Sequence, residues 1–246
     1  MPGEIVEQRV GRFLVGTCES FSAAVYAQIT SLFTRAQDAR RGGVVAPHGI
    51  TRQSVEGIGR VVVKHYLRGG LLRFFLHRSY LHWGEYRSKH EFLMLARVRQ
   101  LGISAPRPIA YGIEGGIFYR TWLVLSELEG VTALADLALD RDPARYEQAM
   151  EQLAVQVERM IENGVFHVDL HPGNVVIDGN DQLFILDFDK ARMFSGPLNE
   201  LRDRYLRRWR RSVIKHNLPE SFSELFCARL RKRYAASCQN GERVVS

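Results

Sequence analysis

Two nearby stretches carry the strongest indication of the fold: HVDLHPGN at residues 167–174 and LDFD at residues 186–189. Asp169 starts a tight loop, Asn174 stands at the start of a predicted strand, and Asp187 ends the strand that returns. A hairpin between Asn174 and Asp187 would bring an amide oxygen and a carboxylate together. Such hard oxygen ligands suit a Mg²⁺ ion that bridges phosphates. Asp169 would then face any hydroxyl group that approaches those phosphates.

The spacing within these stretches has three interpretations. It matches the protein-kinase-like pattern H-x-D-x-x-x-x-N followed by D-F-x, which we favour because spacing and predicted elements agree. The run His167-x-Asp169-x-His171 also resembles the metal-ligand spacing of some hydrolases, but the other histidines show no paired pattern. In the third interpretation these residues only form turns.

Two residues upstream supply further parts of a kinase-like site. Lys64 ends the β-branched run Val61–Val63, which predicts a strand and is where an ATP-anchoring lysine belongs. Glu91 lies one turn into the next predicted helix, residues 88–101, where an acid would orient that lysine. Each residue alone is more often an exposed surface charge. Together with the downstream motif they predict a pair that contacts the nucleotide phosphates.

The remaining nucleotide contacts are less clearly marked. The phosphate-covering loop is expected between the first two strands, where the best candidate is the turn at residues 47–52. This turn lacks the pattern G-x-G-x-x-G, although Gly49 can offer a backbone N–H to phosphate. The segment Glu127, Leu128 and Glu129 is expected to be a hinge whose backbone groups bind adenine.

The order of strand and helix patterns predicts an α+β, protein-kinase-like fold with two lobes. We expect an N-terminal lobe, residues 1–127, built on an antiparallel β-sheet with one helix. A mainly helical C-terminal catalytic lobe would comprise residues 128–246. Within the first lobe, residues 1–40 have helical potential but are interpreted as a polar lead segment without an assigned role.

Composition excludes several classes of protein. Hydrophobic residues make up 46% of the 246 and charged residues 25%, which are ordinary globular values and unlike those of disordered or collagen-like chains. The three cysteines form no Cys-x-x-Cys motif, so a reducing compartment is expected. Neither a secretory signal nor an apolar run of membrane-spanning length is visible.

The net charge of +7 is concentrated in residues 201–217, which hold seven basic residues and one acid. This segment predicts a helix with an apolar stripe flanked by arginines. The stripe is expected either to pack into the helical lobe or to lie on an anionic membrane. A nucleic-acid-binding module would need more interleaved aromatic residues, and it would leave the kinase-like residues unexplained.

With these motifs in hand, the chain resembles the bacterial lipopolysaccharide kinases, most closely the 3-deoxy-D-manno-octulosonic acid (Kdo) kinases. The resemblance runs from about residue 60 to 215 with the motif order preserved. Its motifs are Lys64-His-Tyr66-Leu-Arg68-Gly-Gly-Leu71, Arg78-x-Tyr80-Leu-x-x-Gly84, Glu91-Phe92-x-x-Leu95, Gly102-x-x-x-Pro106-Arg-Pro108, Phe118-Tyr119-Arg120, Asp169-Leu170, Asn174 and Asp187-Phe-Asp189.

The resemblance implies an enzyme that uses ATP and Mg²⁺ to phosphorylate a Kdo hydroxyl on a lipid A precursor, in lipopolysaccharide core biosynthesis. By position, Asp169 is the active-site base, Asn174 and Asp187 hold the metal, and Lys64 contacts the nucleotide phosphate. Such an enzyme works in the bacterial cytoplasm, peripherally on the inner membrane, with an anionic membrane surface as partner. Neither nucleic acid nor an obligate protein partner is expected. The main alternative is a related kinase acting on core heptose or a small alcohol; a pseudokinase is disfavoured because the catalytic residues are present.

Overall fold

The fold is given by a computed structural model of the chain. It describes the residues in the ranges 4–41, 50–66, 80–81, 85–116, 118–137 and 143–241. The chain forms two compact units. The first comprises Met1–Arg97 and Pro106–Glu127, and the second comprises Val98–Ala105 and Leu128–Ser246.

The first unit is built on one antiparallel sheet, which has seven strands among the described residues. The order is β1-β2-β6-β7-β4-β3, and the short strand β5 also pairs with β7. The predicted strand at Val61–Val63 is confirmed as part of β4. The strands are β1 (Val6–Val10), β2 (Phe13–Thr17), β3 (Ile50–Val55), β4 (Gly59–His65), β5 (Tyr80–Leu81), β6 (Pro108–Gly115) and β7 (Phe118–Ser126).

Helix α1 (Ala23–Arg41) packs on the sheet through a helically spaced apolar face that includes Ile29 and Phe33. Both side chains are fully buried, and each such burial stabilises a fold by about 1.5–3 kcal/mol. The Phe33 ring stacks on Trp122 of β7 at 5.2 Å between centroids. A Cβ atom at Gly112 of β6 would overlap this ring, so the close approach requires glycine.

The described part of the expected lead segment, residues 4–40, is therefore part of the folded unit. They supply β1, β2 and most of α1, which are integral to the first unit. This unit consequently contains helix α1 in addition to the expected helix. The expected one is α2 (Arg87–Gln100), whose Phe92 contacts Tyr111 of β6 edge to face at 5.2 Å. Since Tyr111 and Gly112 are neighbours on one strand, their side-chain positions lie on opposite faces of the sheet.

The second unit is mainly helical, as predicted, and the α+β class is confirmed. Its long helices are α4 (Pro143–Glu162), α5 (Leu198–Lys215) and α6 (Ser221–Gly241), and the short helix α3 is Leu134–Leu137. No helix within the described ranges is long and apolar enough to cross a bilayer. The short strands form the sheets β11-β10-β8 and β12-β9; they are β8 (Thr132–Ala133), β9 (Val165–Phe166), β10 (Val175–Ile177), β11 (Leu183–Ile185) and β12 (Arg192–Met193).

Candidate active site

The loop that carries Asp169 is fixed at its start by His167. The backbone N–H of His167 donates to the Tyr205 hydroxyl at 2.7 Å, and that hydroxyl donates to the Val165 carbonyl at 2.9 Å. The ring nitrogen Nε2 of His167 lies 2.9 Å from the Leu186 carbonyl. Complete burial lowers the pKa of His167, so the neutral ring donates from Nε2. His167 thereby ties the loop to the residue directly before Asp187.

The Asp169 carboxylate has a cation on each oxygen. Lys190 Nζ donates to Oδ2 at 2.7 Å, and Arg208 Nη2 donates to Oδ1 at 2.6 Å. The Lys190 hydrogen bond, together with the positive charge of both partners, lowers the pKa of Asp169 despite its partial burial. The same hydrogen bond raises the pKa of Lys190. Asp169 is therefore an ionised acceptor at neutral pH, with about a quarter of its side chain exposed.

Asn174 and Asp187 are brought together by a short hairpin, as predicted. Strands β10 and β11 pair with Val175 opposite Ile185, and the Leu186 N–H donates to the Asn174 carbonyl at 2.8 Å. Asp187 follows with a φ of +63°, a left-handed conformation that is uncommon outside glycine. The backbone therefore turns sharply at the residue expected to bind metal, a position where local strain commonly accompanies function.

The oxygen atoms of Asn174 and Asp187 in this hairpin are suitable ligands for a magnesium ion. The side-chain nitrogen of Asn174 donates to the backbone carbonyl of Asp169 at 3.0 Å. The side-chain oxygen of Asn174 therefore lies on the side of the amide group away from that carbonyl. One amide oxygen and one carboxylate suit Mg²⁺, which takes further oxygen ligands from phosphates and water. Among the described residues, no three His, Cys, Asp or Glu side chains form a group that could hold a metal. His171, part of the alternative metal pattern, instead accepts a hydrogen bond from the Gly173 N–H.

Lys64 and Glu91 form an ion pair within the first unit. Lys64 Nζ lies 3.0 Å and 2.8 Å from the two Glu91 carboxylate oxygens. The Glu91 side chain is only 1% exposed, and the Tyr66 hydroxyl also donates to it. Burying a charge is costly unless it is paired, so this carboxylate holds the ammonium firmly. The pairing matches the expected geometry, while its contact with nucleotide stays a prediction.

The other expected nucleotide contacts are only partly described. Gly49 lies outside the described residues. The Glu127 N–H donates to the Arg60 carbonyl at 3.0 Å, and the Glu129 carbonyl accepts from the Gly179 N–H at 3.2 Å. These two backbone groups are thus engaged within their own units. Adenine would have to use the other backbone groups of Glu127, Leu128 and Glu129.

Comparison with known proteins agrees with this geometry. Residues 39–234 match the family described as lipopolysaccharide kinase (Kdo/WaaP). The chain belongs to the lipopolysaccharide kinase (Kdo/WaaP) family. The 3-deoxy-D-manno-octulosonic acid kinase of Stenotrophomonas maltophilia (strain K279a) is 34% identical over 188 residues, or 74% of each chain. A protein of the same name from Vibrio vulnificus (strain CMCP6) is 29% identical over 161 residues, covering 63% of this chain and 67% of that protein.

One solved structure in the comparison is the yeast RNA Pol II CTD kinase CTDK-1 complex. It matches with a TM-score of 0.42 and 15% sequence identity, over 61% of this chain and 45% of that chain. Assignment to the lipopolysaccharide kinase family rests instead on the sequence match, which includes the Asp169 loop, the hairpin and Lys64. The expected family resemblance is confirmed.

The structure of this lipopolysaccharide kinase shows why α5 has an apolar stripe. Leu201, Tyr205, Trp209 and Val213 are all buried, so the stripe packs into the second unit. The Trp209 ring nitrogen donates to the Phe222 carbonyl at 3.1 Å. Of the two expectations for this helix, packing into the helical lobe is therefore the one observed.

Three residues near the expected catalytic groups have contacts that their place in the sequence does not predict. Tyr66, two residues after Lys64, is the second partner of Glu91. Lys190 directly follows the DFD motif, and a cation so close to the expected site could have indicated a contact with Asp169. Arg208 lies within the basic segment, and its contact with Asp169 leaves no local pattern because it spans 39 positions of sequence.

Proposed function

We propose that the protein is an ATP-dependent kinase that phosphorylates a hydroxyl of Kdo on a lipid A precursor, in lipopolysaccharide core biosynthesis. One observation carries this proposal: the Asp169 loop is joined to the Asn174–Asp187 hairpin in a chain that matches the lipopolysaccharide kinases over residues 39–234. The name of the S. maltophilia relative supports Kdo as the acceptor sugar.

Asp169 would orient the acceptor hydroxyl and take up its proton late in the transfer. Phosphoryl transfer passes through a loose transition state, so positioning and charge neutralisation matter more than a strong base. A carboxylate whose pKa is lowered by Lys190 is a weak base, but it stays ionised and ready to accept a hydrogen bond. The short bonds to Lys190 and Arg208 hold it in one orientation.

The nucleotide contacts are proposed for each unit by itself. Asn174 and Asp187 would hold Mg²⁺, which neutralises charge on the phosphates when bound. Lys64, fixed by Glu91, would donate to a nucleotide phosphate. The hinge backbone at Glu127–Glu129 would bind adenine, and Gly49 stays a candidate for the phosphate-covering loop.

We further propose that the enzyme works peripherally on the cytoplasmic face of the inner membrane. Three arginines of α5 are exposed: Arg207, Arg210 and Arg211. Each cation near an anionic surface gains about 1 kcal/mol. Flotation with anionic vesicles at low and high salt tests this proposal, because attraction of this kind weakens with salt. Vesicle binding that ignores salt would contradict it.

The function is tested by transfer of labelled phosphate from ATP to three acceptors side by side: Kdo–lipid A, heptosylated core and a generic protein. The proposal expects labelling of Kdo–lipid A. Labelling of heptosylated core alone would favour the heptose alternative. Asp169→Asn is expected to lower turnover by orders of magnitude while ATP still binds, and near-normal turnover of that variant would remove Asp169 from the mechanism.

A further inference from the structure

The two cations on Asp169 differ in how readily they can leave it. Lys190 is held by this one carboxylate, and 60% of its side chain is exposed. Arg208 extends from the packed helix α5, with 31% of its side chain exposed. Because both carboxylate oxygens are occupied, an acceptor hydroxyl can bond to Asp169 only if it shares or displaces one cation. Lys190 is the more exposed of the two cations, so it is the one that can shift to make room for the hydroxyl.

We propose that Lys190 binds a carboxylate of the acceptor sugar, and so helps to select an acidic sugar as substrate. This inference rests on the proposed function, because it assumes that an acceptor hydroxyl docks at Asp169. Arg208 stays on Oδ1 and keeps the Asp169 carboxylate in place. The Lys190 ammonium shares Oδ2 with the incoming hydroxyl and also pairs with the negative group that the same sugar brings.

The distances allow one sugar to make both contacts. Lys190 Nζ is 2.7 Å from Asp169 Oδ2. A hydroxyl oxygen bonded to the same Oδ2 at about 2.7 Å would lie no more than about 5.4 Å from Nζ. This separation is within the reach of two substituents on one sugar ring. An acidic sugar can therefore present its hydroxyl to Asp169 and its carboxylate to the lysine.

The charges around Lys190 also favour this pairing. Asp187 and Asp189 act on Lys190 electrostatically in addition to Asp169, so the surroundings are rich in carboxylates. An acidic sugar entering beside Asp169 would be repelled unless a cation meets its carboxylate. The phosphates of the nucleotide have Lys64 and the metal ligands as proposed partners. Among the described residues, Lys190 is the exposed cation in contact with the carboxylate that orients the acceptor.

The test is a cycle of two enzymes and two acceptors. Wild type and Lys190→Met are assayed with Kdo–lipid A and with the same acceptor whose Kdo carboxylate is a methyl ester. We expect the ester to lower kcat/KM of wild type by about 10–100-fold, chiefly through KM for the acceptor, as for loss of a charged hydrogen bond. Lys190→Met should lose a similar factor on Kdo–lipid A and nothing further on the ester, with KM for ATP unchanged.

Two control variants accompany the cycle. Lys232→Met, an exposed lysine of α6, should leave all four values unchanged. Lys190→Arg keeps a cation and should recover part of the loss on Kdo–lipid A. An equal loss by Lys190→Met on both acceptors, or a raised KM for ATP, would overturn the inference and place the lysine on the nucleotide. Equal use of acid and ester by wild type would also overturn it while leaving the proposed function intact. Transfer by wild type to neither acceptor would instead refute the function itself.

Discussion

Removal of the Tyr205 hydroxyl should destabilise the protein far more than removal of the Tyr146 hydroxyl, which is also buried. The Tyr205 hydroxyl accepts from the His167 N–H at 2.7 Å and donates to the Val165 carbonyl at 2.9 Å. Burial raises the pKa of Tyr205, so the neutral hydroxyl is the form present. Tyr205→Phe leaves one N–H and one carbonyl buried without these partners. Each such group costs about 1–3 kcal/mol, which gives roughly 2–6 kcal/mol together.

Tyr146→Phe is the matched control. The Tyr146 hydroxyl is buried in the second unit and has no hydrogen-bond partner among the described residues. Its ring packs against Phe222 at 4.7 Å between centroids, a contact that phenylalanine keeps. Removing a buried hydroxyl that lacks a partner removes its desolvation cost. This variant should therefore be as stable as wild type, or more stable by about 1 kcal/mol.

Urea unfolding followed by Trp fluorescence and circular dichroism measures both variants, and the free energy is read from the transition midpoint and slope. Because His167 leads into the Asp169 loop, Tyr205→Phe should also lower kcat, whereas Tyr146→Phe should not. A stability loss below about 1 kcal/mol for Tyr205→Phe, or an equal loss for Tyr146→Phe, would refute this account of how the loop is held.

Three further outcomes follow from the contacts described. Lys64→Met should destabilise the protein by about 3 kcal/mol in urea unfolding because it leaves Glu91 buried, while Lys64→Met/Glu91→Leu should recover much of that stability without activity. Lys190→Met should raise the pKa of Asp169; since the carboxylate must be ionised, the acidic limb of the pH profile of kcat/KM should move to higher pH, and an unmoved limb would contradict this. Gly112→Ala should lower stability by about 1–3 kcal/mol in thermal denaturation, because its new methyl group meets an aromatic ring of the core, and unchanged stability would argue against that packing.

Local patterns account for the parts of the fold that could be predicted. The strand at Val61–Val63, the helix expected at residues 88–101 and the hairpin around Val175–Ile177 are all present. In each case, residues close in sequence determine the element through side-chain periodicity or turn chemistry. Strand β1, Val6–Val10, had no such signal because four of its five residues are exposed, so its apolar alternation is absent.

The candidate site could be predicted only where its residues share a motif. Asp169, Asn174 and Asp187 have fixed spacing on one loop and one hairpin, so the pattern of residues alone suggested them. Tyr66 and Arg208 became visible only through packing: one depends on how α2 lies on the sheet, and the other on how α5 docks within its unit. Contacts between residues remote in sequence produce no repeating pattern of side chains, so they could not be predicted from the sequence.

The basic segment shows why a cluster of charges cannot be interpreted as one functional surface. The local excess of arginine suggests that all these side chains could face one anionic surface. In the structure, however, individual arginines have different partners. Arg204 pairs with Glu200 one turn earlier at 2.7 Å, and Arg208 belongs to the Asp169 carboxylate. Charges already neutralised by a neighbour add little attraction to a membrane surface. The attraction that α5 can offer an anionic surface therefore comes from fewer cations than the sequence count implies, chiefly Arg207, Arg210, Arg211 and Lys215.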